Sequence, residues 1–404
     1  MLSLHIENTI YNMHKLVHRN IENFVLQNVK LFPAVAILGS RQCGKSTLVK
    51  MLANQFPDFL HLDLQNRDDL AKLTEPSLFF KNNADKTLCL DEIQLLPDLF
   101  SVLRTEIDRF RKPGRFILLG SASPNLLHHT SETLAGRIGM VDLTPFLLTE
   151  IDNTPNFLLN NYWFRGGYPE SFLTADDKTS ALWRENFIRT YVERDIPQLG
   201  FQITSLQMMR LLSMCAHIHG QLLNTSTLGE SLGLTHPTIR KYVDILEQTY
   251  ILRTLQPYFV NTKKRLIKSP KLYFRDSGLL HQVLQIRDFN ALMGNPVLGS
   301  SWEGLVIENI CATIRNAQFS FYRSATGDEM DLVIQKHNKL ICVECKASTA
   351  PTLTAGFWRS IDFLHPDTTY VVAPIDDQYE IQKGVIVCSL KNIITNLDAI
   401  IDSN

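Results

Sequence analysis

Short apolar runs alternate with amphipathic segments along the first third of the chain. Residues 34–38 are wholly apolar and predict a buried strand, and from Ser46 onward the apolar positions have helical spacing. Similar apolar runs predict further strands at residues 60–64, 87–90, 116–119 and 138–143. Apolar positions before residue 30 also have helical spacing and predict an N-terminal helix. Strands that alternate with helices indicate an α/β domain at the start of the chain.

The loop between the first predicted strand and helix has the residues that phosphate binding requires. Residues 39–46 have the spacing G-x-x-x-x-G-K-S, which is typical of a P-loop in this strand–loop–helix context. Gly39 and Gly44 would let the loop wrap so that its backbone N–H groups face a triphosphate. Lys45 would reach the β- and γ-phosphates, and the Ser46 hydroxyl would ligate Mg²⁺. The alternative is a Gly/Ser turn beside a lysine, which the flanking strand and helix disfavour.

Further candidate residues follow the later strands of this domain. Asp91 would hold Mg²⁺, and Glu92 would orient or deprotonate the attacking water. Ser121, like Ser123, is either a sensor of the γ-phosphate or a turn or helix cap. Arg137 follows a helix predicted at residues 124–135 and is either an arginine finger for a neighbouring subunit or a surface arginine. The predicted catalytic residues are Lys45, Glu92 and Arg137, the predicted metal ligands are Ser46 and Asp91, and the predicted ATP-binding residues are Gly39, Ser40, Arg41, Gln42, Cys43, Gly44, Lys45, Ser46, Thr47, Asp91 and Ser121.

Composition and charge limit the classes of protein to consider. The 404 residues, 45% hydrophobic and 20% charged, are expected to form roughly two to four globular domains. The net charge of −1 excludes a whole-molecule attraction to nucleic acid or membrane, so any such attraction must be local. Seven scattered cysteines predict no disulfide framework, and the C-x-x-C at Cys342 and Cys345 lies in a predicted strand, where core packing is favoured over zinc. Without a signal sequence or a membrane span, we expect a cytoplasmic protein.

Several motifs together resemble a known family. The runs GSRQCGKSTL, LCLDEIQ, LLGSAS and TLAGRIGMVDLTPF, followed by FRGGYPE and YVERDI, are similar to prokaryotic AAA-type P-loop ATPases of poorly defined function. The resemblance covers almost the whole chain, and Ser46 supplies the hydroxyl that threonine supplies in many relatives. It implies a C-terminal half built from a winged helix and a restriction-endonuclease-like module. It implies no firm substrate.

The middle of the chain has helical spacing and a local positive charge. Residues 151–200 predict helices, one at 181–194, that would form a lid over the nucleotide, with Arg165, Arg189 and Arg194 as candidate phosphate sensors. Residues 226–253 follow the helix-turn-helix pattern, with a turn at Gly233, and apolar runs at 250–255 and 271–274 would form a wing. Residues 201–275 contain ten basic and three acidic residues, which favours DNA over a protein partner. The predicted DNA-binding residues are His236, Thr238, Arg240, Lys241, Lys263, Lys264, Arg265 and Lys268.

The last third contains an arrangement that resembles the PD-(D/E)xK nuclease core. Asp331 begins one predicted strand, and Glu344 and Lys346 form E-x-K in its hairpin partner, within an αβββαβ order. The two-residue spacing puts Glu344 and Lys346 on one strand face, where Asp331 and Glu344 would share a divalent metal. Lys346 would stabilise charge or position water, and Glu303 on the preceding helix would be an auxiliary acid. The alternative is a nuclease-like fold retained for binding alone.

These predictions combine into one fold class and one function. The fold class is α/β, with a P-loop AAA-type ATPase domain (1–150), a helical lid (151–200), a winged helix-turn-helix (201–280) and an α/β endonuclease-like C-terminal domain (281–404). The predicted function is Mg²⁺-dependent ATP hydrolysis coupled to binding or remodelling of DNA, with branched DNA as a candidate. The expected partners are DNA and further copies of the chain, with a ring as one arrangement. The alternatives are an ATP-gated nuclease or toxin-like effector, and a nucleotide-switched signalling scaffold whose winged helix binds protein.

Overall fold

The chain folds into two compact units. The computed structural model describes residues 16–56, 58–121, 133–198, 203–259 and 268–402. The first unit comprises residues up to Phe146 together with Gln248–Tyr250, and the second comprises Leu147–Glu247 and the residues from Ile251 onward. The boundaries predicted at residues 200 and 280 therefore both fall inside the second unit.

The first unit is built on a five-stranded parallel sheet. Its strands are β1 (Ala34–Gly39), β2 (Leu60–Asp63), β3 (Leu88–Asp91), β4 (Phe116–Ser121) and β5 (Ile138–Asp142), in the spatial order β2-β3-β4-β1-β5. β1 and β3 are buried along their whole length. Both faces of a parallel sheet are covered by helices, which explains why these runs are continuously apolar. The five strands predicted from the apolar runs are confirmed.

Helices and short turns connect these strands. The helices are α1 (Glu22–Leu31), α2 (Lys45–Met51), α3 (Arg67–Lys72), α4 (Pro76–Asn82) and α5 (Leu99–Arg109), with 3-10 turns at Ala53–Gln55 and Ile93–Leu95. Alternate residues of β1 enter two separate cores: Ala36 and Leu38 on one face, Val35 and Ile37 on the other. The predicted N-terminal helix is shorter than expected in the described residues, and most of the helix predicted at 124–135 lies outside them.

The second unit contains one nine-stranded sheet. Its strands are β6 (Gln221–Leu222), β7 (Leu252–Pro257), β8 (Lys271–Phe274), β9 (Gln318–Arg323), β10 (Glu329–Lys336), β11 (Lys339–Cys345), β12 (Thr368–Val372), β13 (Tyr379–Gln382) and β14 (Val385–Cys388), in the spatial order β13-β14-β12-β11-β10-β9-β7-β8-β6. β7 pairs with β8 in antiparallel and with β9 in parallel orientation. The sheet is thus continuous from the predicted wing to the C-terminal strands.

The remaining helices belong to the second unit. They are α6 (Leu148–Ile151), α7 (Leu159–Arg165), α8 (Pro169–Phe172), α9 (Asp177–Thr190), α10 (Ile196–Gln198), α11 (Ser205–His217), α12 (Thr225–Leu232), α13 (His236–Gln248), α14 (Ser277–Val283), α15 (Phe289–Met293), α16 (Leu298–Thr313), α17 (Ala355–Leu364) and α18 (Leu390–Asp402), with a π-helical turn at Tyr191–Asp195. α9 begins four residues before the helix predicted at 181–194, because the Asp176 side chain accepts a hydrogen bond from the Thr179 N–H and caps it there.

The elements of the predicted helix-turn-helix and of the C-terminal region occur in the predicted order. α12 ends at Gly233 and is followed by α13, and the antiparallel pair β7–β8 comes next. α16, β9, β10, β11, α17 and β12 then give the order αβββαβ. Cys342 and Cys345 are buried in β11, as core packing predicts, and the seven cysteines are free thiols. Within the described ranges, no helix is both long and apolar enough to cross a membrane.

Candidate functional site

The loop between β1 and α2 is folded so tightly that two of its positions require glycine. A Cβ atom on Gly39 would lie 2.2 Å from the carbonyl oxygen of Leu143. Gly44 has a φ of 102°, in the left-handed region, and Gln42 before it has a φ of 59°. The loop therefore curls back over the end of β1, which is the shape that a phosphate-binding loop needs.

Lys45 is buried in this loop, and its charge is not paired with a carboxylate there. Its Nζ donates hydrogen bonds to the carbonyl oxygens of Gly39 at 3.1 Å and Ser40 at 2.8 Å. The buried hydroxyl of Ser40 has no hydrogen-bond partner within the described residues. A buried ammonium held by neutral carbonyls is well suited to a negatively charged ligand such as a phosphate.

Ser46 and Asp91 meet although they are 45 residues apart. The Ser46 hydroxyl donates to Asp91 Oδ2 at 2.6 Å, and His61 Nε2 lies 3.2 Å from the same oxygen. Burial alone would raise the pKa of Asp91, but the hydrogen bonds from His61 and Ser46 outweigh it, so the pKa is lowered. Asp91 is therefore ionised at neutral pH, and a hydroxyl with a carboxylate is a donor set that fits Mg²⁺.

Glu92 follows Asp91 in an unusual backbone conformation. Its φ is 58°, in the left-handed region that residues with a side chain rarely adopt. The Glu92 N–H donates to Asp91 Oδ1 at 3.0 Å, and the Glu92 carboxylate accepts a hydrogen bond from Gln94. Residues held in this region cluster at functional sites, because the surrounding structure must compensate the strain. The position of Glu92 beside Asp91 agrees with the predicted role of a base, which stays a prediction.

The other predicted residues of this site differ in their surroundings. Ser121 is paired with Gly39 in the β1–β4 register, so it lies beside the first residue of the loop. Arg41 is half-buried and Thr47 is exposed, whereas Cys43 is buried with its thiol 3.4 Å from the Leu143 oxygen. Cys43 therefore packs against β5's end of the sheet, and its expected contribution to ATP binding is limited to its backbone. Ser123 lies outside the described residues.

Arg137 is held by an acid of the same unit. Its Nε lies 2.6 Å from Asp108 Oδ1 and its Nη2 lies 2.9 Å from Asp108 Oδ2, a two-point pairing. The hydrogen bond from Arg137 lowers the pKa of Asp108. A role in a neighbouring subunit stays a prediction, and it would require Arg137 to leave Asp108.

The second unit contains the other predicted site, and a lysine from outside the predicted set lies in it. Glu329 and Asp331 are two residues apart on β10 and face the same way. The Nζ of Lys271, on β8, lies between these two acids and Glu303 of α16. It is 2.5 Å from Glu329 Oε1, 2.9 Å from Glu303 Oε1 and 3.6 Å from Asp331 Oδ1. Only 2% of Lys271 is exposed. We call Glu303, Glu329, Asp331 and Glu344, with Lys271 and Lys346, the carboxylate cluster.

Other hydrogen-bond donors of the protein also contact the acids of the cluster. Lys346 Nζ donates to Glu344 Oε1 at 2.6 Å, and Asp331 Oδ2 accepts the Cys345 N–H at 2.9 Å. Tyr273 donates its hydroxyl to Glu303 Oε1 at 2.5 Å. Burial raises the pKa of both Asp331 and Glu344, and the neighbouring acids raise both further. The predicted nuclease residues are therefore brought together, but each contacts a cation or donor from the chain itself.

Divalent metal does not fit this cluster as the structure arranges it. Burial lowers the pKa of Lys271, but the carboxylates of Glu303, Asp331 and Glu329 outweigh burial and raise it, so Lys271 stays protonated. Across the described part of the chain, no group of three or more His, Cys, Asp or Glu side chains is arranged to hold a metal ion. The metal predicted between Asp331 and Glu344 does not fit this arrangement, because Lys271 lies 3.6 Å from Asp331 Oδ1 and Lys346 lies 2.6 Å from Glu344 Oε1.

The charge predicted for the helix-turn-helix region is smaller on the surface than the residue count suggested. Arg253 and Arg275 both pair with the buried Glu308, at 2.8 Å and 2.7 Å, and Lys271 lies in the carboxylate cluster. These three basic residues pair with acids of the second unit. A count of charges along the sequence does not reveal this pairing. Arg240 pairs with Asp244 at 2.9 Å.

The predicted DNA-binding residues are only partly described. His236, Lys241 and Lys268 are exposed, and Thr238 and Arg240 are half-buried on the first turns of α13. Lys263, Lys264 and Arg265 lie outside the described residues.

Comparisons with known proteins agree with this geometry. The profile of a family described as "AAA domain" matches residues 31–152, and two families described as "Domain of unknown function", DUF8612 and DUF4143, match residues 156–290 and 298–393. Uncharacterized proteins of Mycobacterium bovis and Mycobacterium tuberculosis are each 36% identical over 363 residues, 90% of this chain and 81% of theirs. The chain belongs to the family of these two proteins.

The AAA-domain match, which includes the P-loop, supports a prokaryotic AAA-type P-loop ATPase of unknown function. To that level, the resemblance predicted from the motifs is confirmed. A solved structure, the Walker-type ATPase PABY2304 of Pyrococcus abyssi, covers 67% of this chain and 96% of its own with a TM-score of 0.47 and 15% identity. The winged helix and the endonuclease-like module stay predictions.

The predicted lid arginines have partners within the second unit. Arg165 pairs with Asp177 at 2.6 Å and donates to the Thr174 carbonyl at 3.0 Å. Arg189 lies 3.2 Å from Glu193. Buried Arg165 therefore stabilises the turn before α9, and its role as a phosphate sensor stays a prediction.

Sequence reasoning missed four residues that the structure brings into these two sites. They are His61 beside Asp91, Asp108 beside Arg137, and Lys271 with Glu329 in the carboxylate cluster. His61 is the second residue of β2, which neighbours β3 in the sheet, and no motif in the sequence marks it. No motif marks Lys271 either, because the sequence predicts it only as part of a strand of the wing.

Proposed function

We propose that this protein is a Mg²⁺-dependent ATPase that couples ATP binding and hydrolysis to the binding or remodelling of DNA. The observation that carries the ATPase part is the 2.6 Å contact between Ser46 and ionised Asp91, next to Glu92 and the buried Lys45. Ser46 and Asp91 would hold Mg²⁺, which when bound would neutralise charge on the phosphates. The groups come from separate strand ends, and the fold alone brings them together.

The residues of the chain would act as follows. Lys45 would exchange its two carbonyl partners for phosphate oxygens, since charged acceptors make the stronger hydrogen bonds. Glu92 would take the proton of the attacking water on its carboxylate, while the Gln94 amide keeps that carboxylate oriented. Ser121, beside Gly39, would contact the terminal phosphate.

Arg137 would complete the site of a neighbouring copy in a homo-oligomer. Its two-point pairing with Asp108 would then be the resting arrangement, which assembly with bound ATP replaces. Mixing Arg137→Ala with Lys45→Ala protein tests this, because each mixed interface can combine an intact loop with an intact arginine. Partial recovery of ATP turnover is expected. Mixtures that stay as inactive as the separate variants would contradict a role in trans.

DNA is proposed as the partner of the helix-turn-helix region. α12, α13 and the antiparallel β7–β8 pair have the element order of a winged helix, and His236 and Lys241 are exposed at the start of α13. The surface charge that supports this is smaller than the sequence count of ten basic residues, because Arg253, Lys271 and Arg275 pair internally. DNA contact would therefore depend on Lys241, Lys268 and residues 263–265.

The deciding experiment measures ATP turnover alone and with single-stranded DNA, duplex and a four-way junction. We expect at least one nucleic acid to change turnover and to shift the protein in a mobility assay. Neutralising Lys263, Lys264 and Arg265 together should weaken DNA binding and reduce its dependence on salt. If every nucleic acid leaves both turnover and mobility unchanged, the DNA part is wrong, and a nucleotide switch for another partner is favoured.

A further inference from the structure

The carboxylate cluster has the residue types of a metal-dependent nuclease site, yet its cation is part of the chain. The Lys271 ammonium has three N–H groups, and three carboxylates surround it: Glu303 from α16, and Glu329 and Asp331 from β10. These are the oxygens that a divalent ion would need. We propose that Lys271 is the resident cation of this cluster, so that the native protein binds no divalent metal there.

The register of the strands explains why a lysine can reach this position. β7 pairs with β9, and this places β8 on the far side of β7 in the same sheet as β10. Lys271 and Tyr273 are two residues apart on β8, face the same way, and both contact Glu303 Oε1. The long side chain of Lys271 crosses the ring of Phe321 on β9, with Nζ 5.5 Å from its centre.

While Lys271 is in place, a divalent ion beside it would find too few free carboxylate ligands. A metal that used Glu303 and Asp331 would lie close to Nζ, which is 2.9 Å from Glu303 Oε1 and 3.6 Å from Asp331 Oδ1. The two like charges would repel each other in a buried site, where water screens them little. Glu344 is held at 2.6 Å by Lys346, and Asp331 Oδ2 is held by the Cys345 N–H. The cluster therefore links β8 to α16 and to the C-terminal strands as an internal ionic joint.

The inference predicts what happens when the ammonium is removed. In Lys271→Ala, the shortened side chain leaves space in which the carboxylates that contact Lys271 in the native protein can close on an ion. This variant should therefore gain a divalent-metal site that the native protein lacks. The inference concerns the second unit and stands or falls independently of the proposed ATPase and DNA functions.

The experiment measures thermal unfolding by tryptophan fluorescence while Mn²⁺ is titrated without nucleotide. All four tryptophans (Trp163, Trp183, Trp302 and Trp358) lie in the second unit, so this signal does not report on the loop of the first unit. We expect no shift of the wild-type midpoint and a rise of several degrees for Lys271→Ala at saturating Mn²⁺. Lys271→Ala/Asp331→Asn should lose that rise, and Lys271→Arg should behave as wild type.

Two results would overturn the inference. One is a Mn²⁺-dependent rise in the wild-type midpoint that Asp331→Asn abolishes, which would show a metal in the native cluster. The other is a folded Lys271→Ala protein that does not respond to Mn²⁺, which would show that Lys271 does not stand at a cation position. If Lys271→Ala does not fold, the comparison of wild type with Asp331→Asn still decides, together with Mn²⁺ binding measured by calorimetry on the same two proteins.

Discussion

The two units each contain a buried lysine with at least one carboxylate nearby, with opposite consequences. In the first unit, Lys45 is held by two main-chain carbonyls, and the nearby Asp91 is held by a hydroxyl and a histidine. Positive and negative charge are thus kept apart, so that an anion and a cation can bind. In the second unit, Lys271 is placed directly among the acids. The comparison teaches that residue types alone do not make a site, because the internal pairing of charges decides which ligands remain to be bound.

The largest effect is expected on the stability of the second unit. Lys271→Met keeps the length of the side chain but removes the buried ammonium that contacts Glu303, Glu329 and Asp331; of these, Glu329 also lies 3.5 Å from Arg323. Breaking such a buried pairing costs about 3–5 kcal/mol. Urea unfolding followed by tryptophan fluorescence measures this loss.

The matched control for that measurement is Lys268→Met. Lys268 is exposed three residues before Lys271, so its substitution should change the free energy of unfolding by less than about 0.5 kcal/mol. Equal stability of the two variants would contradict the joint formed by Lys271.

The next largest effect concerns catalysis in the first unit. Lys45→Ala should lower ATP turnover about 100- to 1,000-fold, since it removes a charged donor from the phosphates. Glu92→Gln should lower it about 100-fold or more if Glu92 is the base. Lys50→Ala is the control, because Lys50 is exposed on the same helix. Wild-type turnover in Lys45→Ala or Glu92→Gln would contradict the assignment of the site.

A third prediction concerns how the stability of the second unit depends on pH. His219 is buried, accepts the Phe274 N–H and lies 3.0 Å from the Ser300 carbonyl; burial lowers its pKa to about 4. The unfolded chain has an ordinary histidine pKa near 6.5, so it binds a proton at pH 5 when the folded protein does not. The contribution of His219 to the free energy of unfolding is therefore fully present above about pH 6.5 and is lost as the pH drops towards 4.

The loss from His219 should amount to about 3 kcal/mol over that range. Urea unfolding by tryptophan fluorescence at pH 7 and pH 4.5 measures it, and His219→Gln should be less sensitive to pH because it cannot take up the proton. A His219→Gln protein that loses as much stability as wild type would show that other groups cause the acid sensitivity.

The smallest effect is expected for His61. His61→Ala removes one hydrogen bond to Asp91 but leaves the one from Ser46, which should cost about 0.5–1.5 kcal/mol, or up to roughly tenfold in kcat/KM. The loss should appear mainly in the Mg²⁺ concentration needed for half-maximal turnover. A loss as large as that of Lys45→Ala would mean that His61 takes part in the chemistry itself.

Much of the first unit could be predicted because its signals are local in the sequence. The P-loop lies within eight residues, and its flanking strand and helix have clear periodicity. β1 and β3 are parallel strands of one sheet. Asp91 ends β3, and Ser46 lies in the helix that follows β1, so the two residues meet at the same edge of the sheet. The sequence does not predict the role of His61, because a half-buried histidine within a strand belongs to no motif.

In the second unit, the positions of the elements could be predicted but the pairing of charges could not. The two-residue period of a strand predicts that Glu344 and Lys346 share a face, and their side chains are in contact at 2.6 Å. Lys271 is 32 residues from Glu303, and they meet only because β7 pairs with β9 and carries β8 with it. The same long-range pairing buries Arg253 and Arg275 on Glu308, which is why a count of charges overstated the basic surface.

The central claim is that the chain binds one divalent ion, in the first unit and not in the carboxylate cluster. Counting Mn²⁺ per chain by electron paramagnetic resonance, with a non-hydrolysable ATP analogue, tests it most directly. The account predicts one ion per chain, lost in Asp91→Asn and retained in Asp331→Asn. A second ion per chain that disappears in Asp331→Asn, or a single ion that persists in Asp91→Asn, would contradict it.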